Sequence, residues 1–204
     1  MIFYKVLDDD MRSMHGGTYR WTVGEWTPEV EIDPCLSGYH VCQESDLVYW
    51  LGPVICPVDV RQTVRHTMNN PKTVTDQARI HEPLATWNER TQRLFACDCA
   101  DRVLPIFERK YPDDARPRLS IETARRYAAG ESTKEKLTAA WYAARAAAWG
   151  AAWDAASAAA SDAASDAAWY AARAAAWGAA RAAAWDAERQ WQTQRLMEYL
   201  RGEA

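Results

Sequence analysis

From Ala139 to Asp186 the chain repeats a tetrad, an alanine pair followed by two variable residues. The first variable residue is in turn Trp141, Arg145, Trp149, Trp153, Ser157, Ser161, Ser165, Trp169, Arg173, Trp177, Arg181 and Trp185, without a slip in register. Alanine is the strongest helix former because it loses no side-chain entropy on ordering, so the tract predicts helix. Four residues turn a helix of 3.6 residues per turn by about 400°, so the stripe drifts by about 40° per tetrad and winds round the rod. Unbroken, residues 133–201 would make a helix about 100 Å long. The segment Ala-Ala-Trp-Tyr-Ala-Ala-Arg-Ala-Ala-Ala-Trp-Gly-Ala-Ala, however, occurs at 139–152 and again at 167–180, with the polar stretch Ser157 to Asp166 between the copies. Serine and aspartate favour caps and turns over helix interiors. A long helical hairpin with one copy on each arm is therefore expected, packed on two shorter helices.

Composition narrows the function classes. A chain of 204 residues that is 49% hydrophobic and 25% charged can bury one or two cores. Residues 1–90 carry 8 Lys/Arg against 13 Asp/Glu and residues 91–204 carry 16 against 15, which gives neither a nucleic-acid footprint nor a DNA mimic. The N-terminus lacks a charged region followed by an apolar core, the mark of a signal peptide. The longest uncharged run of the alanine tract, Ala146 to Trp153, is far short of the roughly 20 apolar residues of a membrane span. Five cysteines, an odd number, do not make a disulfide framework. A cytoplasmic protein with reduced thiols is expected.

The order of patterns predicts an α+β chain, with a small mixed α/β domain over 1–85 and an all-α, alanine-rich helical domain over 86–204. Ile2–Leu7 and Tyr19–Val23 alternate as half-buried strands do, with Asp8-Asp9-Asp10 and His15-Gly16-Gly17 as turns. Gly38–Cys42 and Val54–Val60 read as further strands separated by a helical Asp46–Leu51, and Gln77–His81 as a last one. Pro57 predicts an edge or a bulge, because proline cannot donate to a ladder. From Asn88, a plausible N-cap, the apolar spacing becomes helical through Phe107, with a kink expected at Pro105. Ser120 is expected to cap a helix ending at Gly130, and Ser132-Thr-Lys-Glu135 to open the alanine helix as a capping box. The segment from Arg189 to Leu200 returns to ordinary helical spacing and is expected to dock the C-terminus.

Several residues invite a chemical reading. Cys35, His40 and Cys42 lie within eight residues, but the two cysteines are seven apart across a strand rather than two to four, so packed thiols are preferred to a zinc site. Cys97 and Cys99, on a helix, point about 200° apart and cannot share one metal. His15 precedes two glycines in a turn whose amides could approach an anion. Together with His40 it marks a candidate ligand site. The order of elements also resembles the small NAD-binding fold of ADP-ribosyltransferases, although no catalytic glutamate is assignable. That resemblance implies, as the alternative function, a binder of a nucleotide or ADP-ribose derivative, or a degenerate transferase, acting through the N-terminal domain. No cofactor and no catalytic residue is expected otherwise. The stripe residues Trp149, Trp153, Arg173, Trp177, Arg181 and Trp185 have the composition of interface hot spots, and a stripe that drifts cannot be wholly covered by one chain's few helices. They are the candidate partner surface, for a protein target and for a second copy of the chain.

Leu94-Phe-Ala-Cys-Asp-Cys-Ala-Asp-Arg-Val-Leu-Pro105, Ile121-Glu-Thr-Ala-Arg-Arg-Tyr127, the Ala-Trp tract and Trp191-Gln-Thr-Gln-Arg-Leu-Met-Glu-Tyr-Leu200 together resemble the alanine-rich helical putative immunity protein family of bacteria and their phages. Arg12–Gly17, Pro34–Cys42 and Leu51–Val54 resemble an uncharacterised domain found ahead of that one in phage proteins. The first resemblance implies a non-enzymatic inhibitor of a toxin or defence protein, acting by direct binding in a phage or bacterial conflict system. No nucleic acid and no membrane is expected as a partner.

Overall fold

The alternating N-terminal run folds as strand β1 (Phe3–Leu7), antiparallel to β3 (Val54–Val60), with Phe3 opposite Val58 and Leu7 opposite Val54. On its other side β3 pairs with β6 (Ala78–Ile80), giving a sheet of order β1-β3-β6. A second antiparallel sheet, of order β2-β5-β4, contains β2 (Tyr39–Val41), β5 (Lys72–Thr75) and β4 (Thr63–His66). Tyr4 of β1 joins the two by exchanging both backbone hydrogen bonds with Cys42, each 2.8 Å long. This computed structural model describes residues 2–14, 17–33, 36–66, 72–147 and 186–204. They fall into two compact units, residues 1–89 with 189–204 and residues 90–188. Strands precede helices, and the class is α+β.

The core of the first unit gathers Leu7, Trp21, Val41, Cys56, Val58, Ala78 and Ile80. Fully burying each large apolar side chain contributes roughly 1.5–3 kcal/mol. Tyr19–Val23 differs from the strand its alternation predicts. Its backbone makes isolated pairs, Trp21 N–H to the Met11 carbonyl and Arg12 with Arg20, and no ladder. The alternation serves packing instead: Trp21 is buried and its indole N–H donates to Ser13 Oγ at 2.9 Å. Pro57 differs too, standing in the central strand β3. It faces Tyr4 in a pair whose Tyr4 amide and carbonyl both turn away to Cys42, so β1 asks Pro57 for no donor. Toward β6 its carbonyl accepts from His81 just past the last paired residue, where the ladder has ended. The one bond the missing N–H forgoes is the return donation to the His81 carbonyl, and the β3–β6 ladder stops short of that pair. Between β2 and β3 the chain makes a short 3₁₀ helix, Glu44–Tyr49, which starts and ends two residues ahead of the expected helical Asp46–Leu51.

In the second unit, α1 (Glu89–Lys110) starts directly after Asn88 and runs on through Pro105 for a further turn. α2 (Arg116–Ala128) begins a turn before Ser120, because Pro117 in its first turn has no N–H to leave unpaired and Asp114 accepts from the Arg116 amide at 3.2 Å. It ends at Gly130, whose φ of +77° lets the Gly130 and Glu131 amides reach back to the Tyr127 and Arg126 carbonyls. Charge pairs link α1 to α2: Glu108 with Arg118 at 2.6 Å, and Asp98 and Asp101 both with Arg125 at 2.7 and 2.5 Å. Residues 134–147 are helical, opened by Thr133, one residue later than the capping box places it, with Thr133 Oγ1 3.4 Å from the Lys136 amide. The expected turn at 157–166 and the rest of the hairpin lie outside the described residues.

Residues 186–201 are helical, and the part from 189 onward belongs to the first unit. Leu196, Met197, Tyr199 and Leu200 are buried there. The Thr86 hydroxyl donates to the Leu200 carbonyl at 2.6 Å, Arg201 pairs with Glu44 at 3.5 Å, and the Arg189 guanidinium lies 3.6 Å above the Tyr49 ring. This segment therefore docks as its spacing predicts. Leu196 has no exposed surface, so Leu196→Ala leaves a cavity and should cost about 2–5 kcal/mol in urea unfolding followed by near-UV circular dichroism.

Candidate functional site

Successive side chains of a strand point to opposite faces, so β1 sends Phe3, Lys5 and Leu7 to one side. Lys5 thus occupies a core position, opposite Cys56, with 6% of its surface exposed. Its ammonium donates to the His40 carbonyl at 2.9 Å and lies 4.8 Å from the centre of the Trp21 ring. It forms part of the wall of a cavity of about 400 Å³ lined also by Ser13, Met14, Thr18, Tyr19, Tyr39, His40, Trp50 and Lys72. Tyr19, Trp21 and Tyr39 make an edge-to-face triangle beside it, with ring centres 5.4 to 5.6 Å apart. Two glycines let backbone close in around the cavity. A Cβ at Gly38, where φ is +113°, would fall 2.4 Å from Val74 Cγ1, and one at Gly17 would fall 2.5 Å from Ser13 Cβ.

The electrostatics of this place are uneven. Asp46, 1% exposed, is held by both guanidinium nitrogens of Arg65, one of them at 2.9 Å, and accepts from the Gln43 amide at 3.2 Å. Lys5 has no such partner: among the described residues no carboxylate touches its ammonium, and burial pulls its pKa from 10.5 down to about 8. Burial, with Asp46 adding to it, pushes the Cys42 thiol up to about 12, so it stays a neutral neighbour at pH 7. An amine so placed can hold an anion while protonated.

Of the ligand-site residues read from sequence, His40 lines the cavity and supplies its carbonyl to Lys5, whereas His15 lies outside the described residues. Cys35 is outside them as well. Among the described residues no group of three or more His, Cys, Asp or Glu could hold a metal ion. Lys5, Tyr19 and Trp50 belong to no motif of the sequence, and Tyr39 falls in the Pro34–Cys42 stretch without a role being read for it. Their one legible signal is a lysine on the apolar face of an alternating strand.

In the second unit a groove of about 430 Å³ is lined by Arg93, Ala96, Ala100, Ile121, Leu137 and Trp141 among others. Trp141 is 49% exposed, Tyr142 beside it 60%, and the Arg145 guanidinium lies 5.3 Å from the centre of the Trp141 ring. Ile106 and Leu119 are exposed too. The partner-surface residues Trp149, Trp153, Arg173, Trp177, Arg181 and Trp185 lie outside the described residues.

A family model, described as Imm-5 like putative immunity protein, matches residues 82–199. The chain belongs to this family. Family membership carries an immunity-type role, and the matched segment takes in α1, α2, the described helix over 134–147 and most of the C-terminal helix. Neither a curated protein nor a solved structure matches the chain.

The buried lysine has a measurable signature. Folded Lys5 loses its proton near pH 8 and unfolded Lys5 near 10.5, so between those values the unfolded chain holds more protons and rising pH favours folding. Below pH 8 the lysine is charged in both states and its burial penalty is constant. That net penalty, with the hydrogen bond to the His40 carbonyl already in it, is roughly 3 kcal/mol. Lys5→Met should therefore raise stability by about 3 kcal/mol at pH 7, with the gain vanishing as pH rises from 8 to 10.5. Urea midpoints of both proteins across that range measure it.

Proposed function

We propose that this protein is an immunity-type inhibitor that binds a toxin or defence protein directly, without catalysis, in a phage or bacterial conflict system. The observation that carries this reading is the family match over residues 82–199. The half-exposed Trp141 and Tyr142, with Arg145 stacked on the indole, support a binding face on the alanine-rich segment, since exposed aromatic and arginine side chains are the usual anchors of interfaces. On this reading the stripe continues that face through Trp149, Trp153, Arg173, Trp177, Arg181 and Trp185 toward the target or toward a second copy of the chain. Residues 3–82 are then a phage-type accessory domain, and the complex forms in the host cytoplasm. Among the described residues no helix is long and apolar enough to cross a membrane. A second reading, binding of a nucleotide or ADP-ribose derivative by the N-terminal unit, has the cavity at Lys5 and His40 in its favour.

Co-expression with a library of growth-arresting bacterial toxins tests the first reading. A rescued toxin should co-elute with the chain on size exclusion at unchanged intact mass. Trp141→Ala combined with Tyr142→Ala should weaken that complex at least tenfold. Rescue without a complex, or with a covalently altered toxin, would overturn direct inhibition.

A further inference from the structure

We propose that the cavity around Lys5 is a binding site for a small organic anion bearing an aromatic ring, its charged group on the Lys5 ammonium and its ring against Tyr39 and Trp50. Three observations lead there, and none depends on the immunity reading.

The first is the cation itself. Lys5 is 94% buried by the complement of its 6% exposure, and one of its three N–H donors goes to the His40 carbonyl. A buried charge is ordinarily paired, because removing it from water costs several kcal/mol. The same unit shows how this chain pairs one when pairing is the purpose: Asp46 has Arg65. Lys5 is left with two donors and no carboxylate among the described residues.

The second is the sign of the surroundings. The chain has a net charge of −4, yet the described residues lining the cavity include Lys5 and Lys72 and no aspartate or glutamate. Nor do the residues of this unit outside the described set, namely Met1, His15, Gly16, Pro34, Cys35 and 67–71, include an acid. A cationic hollow in an acidic protein is complementary to an anion.

The third is shape. A volume of about 400 Å³ is that of a metabolite-sized site, and its aromatic walls suit a planar ring. Lys72, its ammonium 5.9 Å from the centre of the Trp50 ring, gives a second positive group on the same wall. A carboxylate and a phosphate monoester would both satisfy Lys5. The shared chemistry is the anion joined to a ring.

Isothermal titration calorimetry on the full chain separates the cases. Adenosine 5′-monophosphate and indole-3-carboxylate serve as ring-bearing anions, adenosine and indole as rings without charge, and inorganic phosphate and acetate as anions without a ring. At least one ring-bearing anion should bind with a Kd below about 1 mM, at least tenfold tighter than its uncharged ring and than the bare anion. Which of the two binds identifies the source as phosphate or carboxylate. Lys5→Met, checked as folded by circular dichroism, should lose at least tenfold in affinity, and Lys5→Arg should retain part of it. Affinity should also fall as pH rises above 8, where the ammonium deprotonates. Failure of both ring-bearing anions to bind below 1 mM, or binding unchanged in folded Lys5→Met, would overturn the proposal. Toxin rescue by Lys5→Met would be unaffected either way, so this outcome and that of the immunity reading are independent.

Discussion

The reciprocal backbone pair between Tyr4 and Cys42 is the contact on which the first unit turns. Each three-stranded sheet is small, and sheets of that size gain stability by sharing a face or an edge with another element. By pairing with Cys42 on one side and β3 on the other, β1 belongs to both. Its register then follows, and with it the alternation that puts the Tyr4 and Lys5 side chains on opposite faces. Because β2 runs alongside, the His40 carbonyl comes within reach of the Lys5 ammonium. The geometry of the cavity is thus a by-product of how two minimal sheets are sewn together. A one-residue slip of β1 would send Tyr4 into the Lys5 position and dissolve both the seam and the hollow.

Much of this was legible in sequence where local chemistry decides structure. β1, β2, β3 and β6 follow from alternation, α1 from its 3-and-4 spacing after Asn88, and the end of α2 from Gly130. β4 and β5 were not foreseen, since their threonines look solvated in sequence while Thr73 and Thr75 are in fact buried. Thr75 Oγ1 reconciles burial with polarity by donating to the Gln77 carbonyl at 2.8 Å. Tyr19–Val23 misled in the opposite sense, because a period of two reports which side chains are buried and not whether the backbone has a neighbour to pair with. The cavity was hidden for a related reason: its residues come from positions 5 to 72 of the chain, and although Arg12–Gly17 and Pro34–Cys42 supply much of its wall, Lys5, Tyr19, Trp50 and Lys72 lie outside both stretches. Of its side chains, His40 alone stood out as part of a ligand site.

The helical segment shows a different division of labour between charge and packing. α1 and α2 hide few large side chains, Phe95, Cys97 and Leu104 on α1 and none on α2. Their contact is dressed instead with carboxylate–guanidinium pairs, of which Arg125 between Asp98 and Asp101 is the most enclosed. Exposed pairs of this sort contribute little each, typically under about 1 kcal/mol. What they supply is alignment, since planar guanidinium forks fix the relative register of two helices that small alanine-rich surfaces would let slide.

The C-terminal helix places Leu196, Met197, Tyr199 and Leu200 in the core of a unit whose strands end at Ile80. On a ribosome, where chains grow at about 5–20 residues per second, residues 90–188 therefore separate the last strand from the C-terminal helix by roughly 5–20 s. During that interval the first unit lacks the helix that carries Leu196 and Leu200. The helices that emerge meanwhile have mostly local contacts and can form within microseconds to milliseconds. The part of the polypeptide that appears first is accordingly the part that is completed last, and for the whole of the delay Thr86, Glu44 and Tyr49 wait for the residues that contact them.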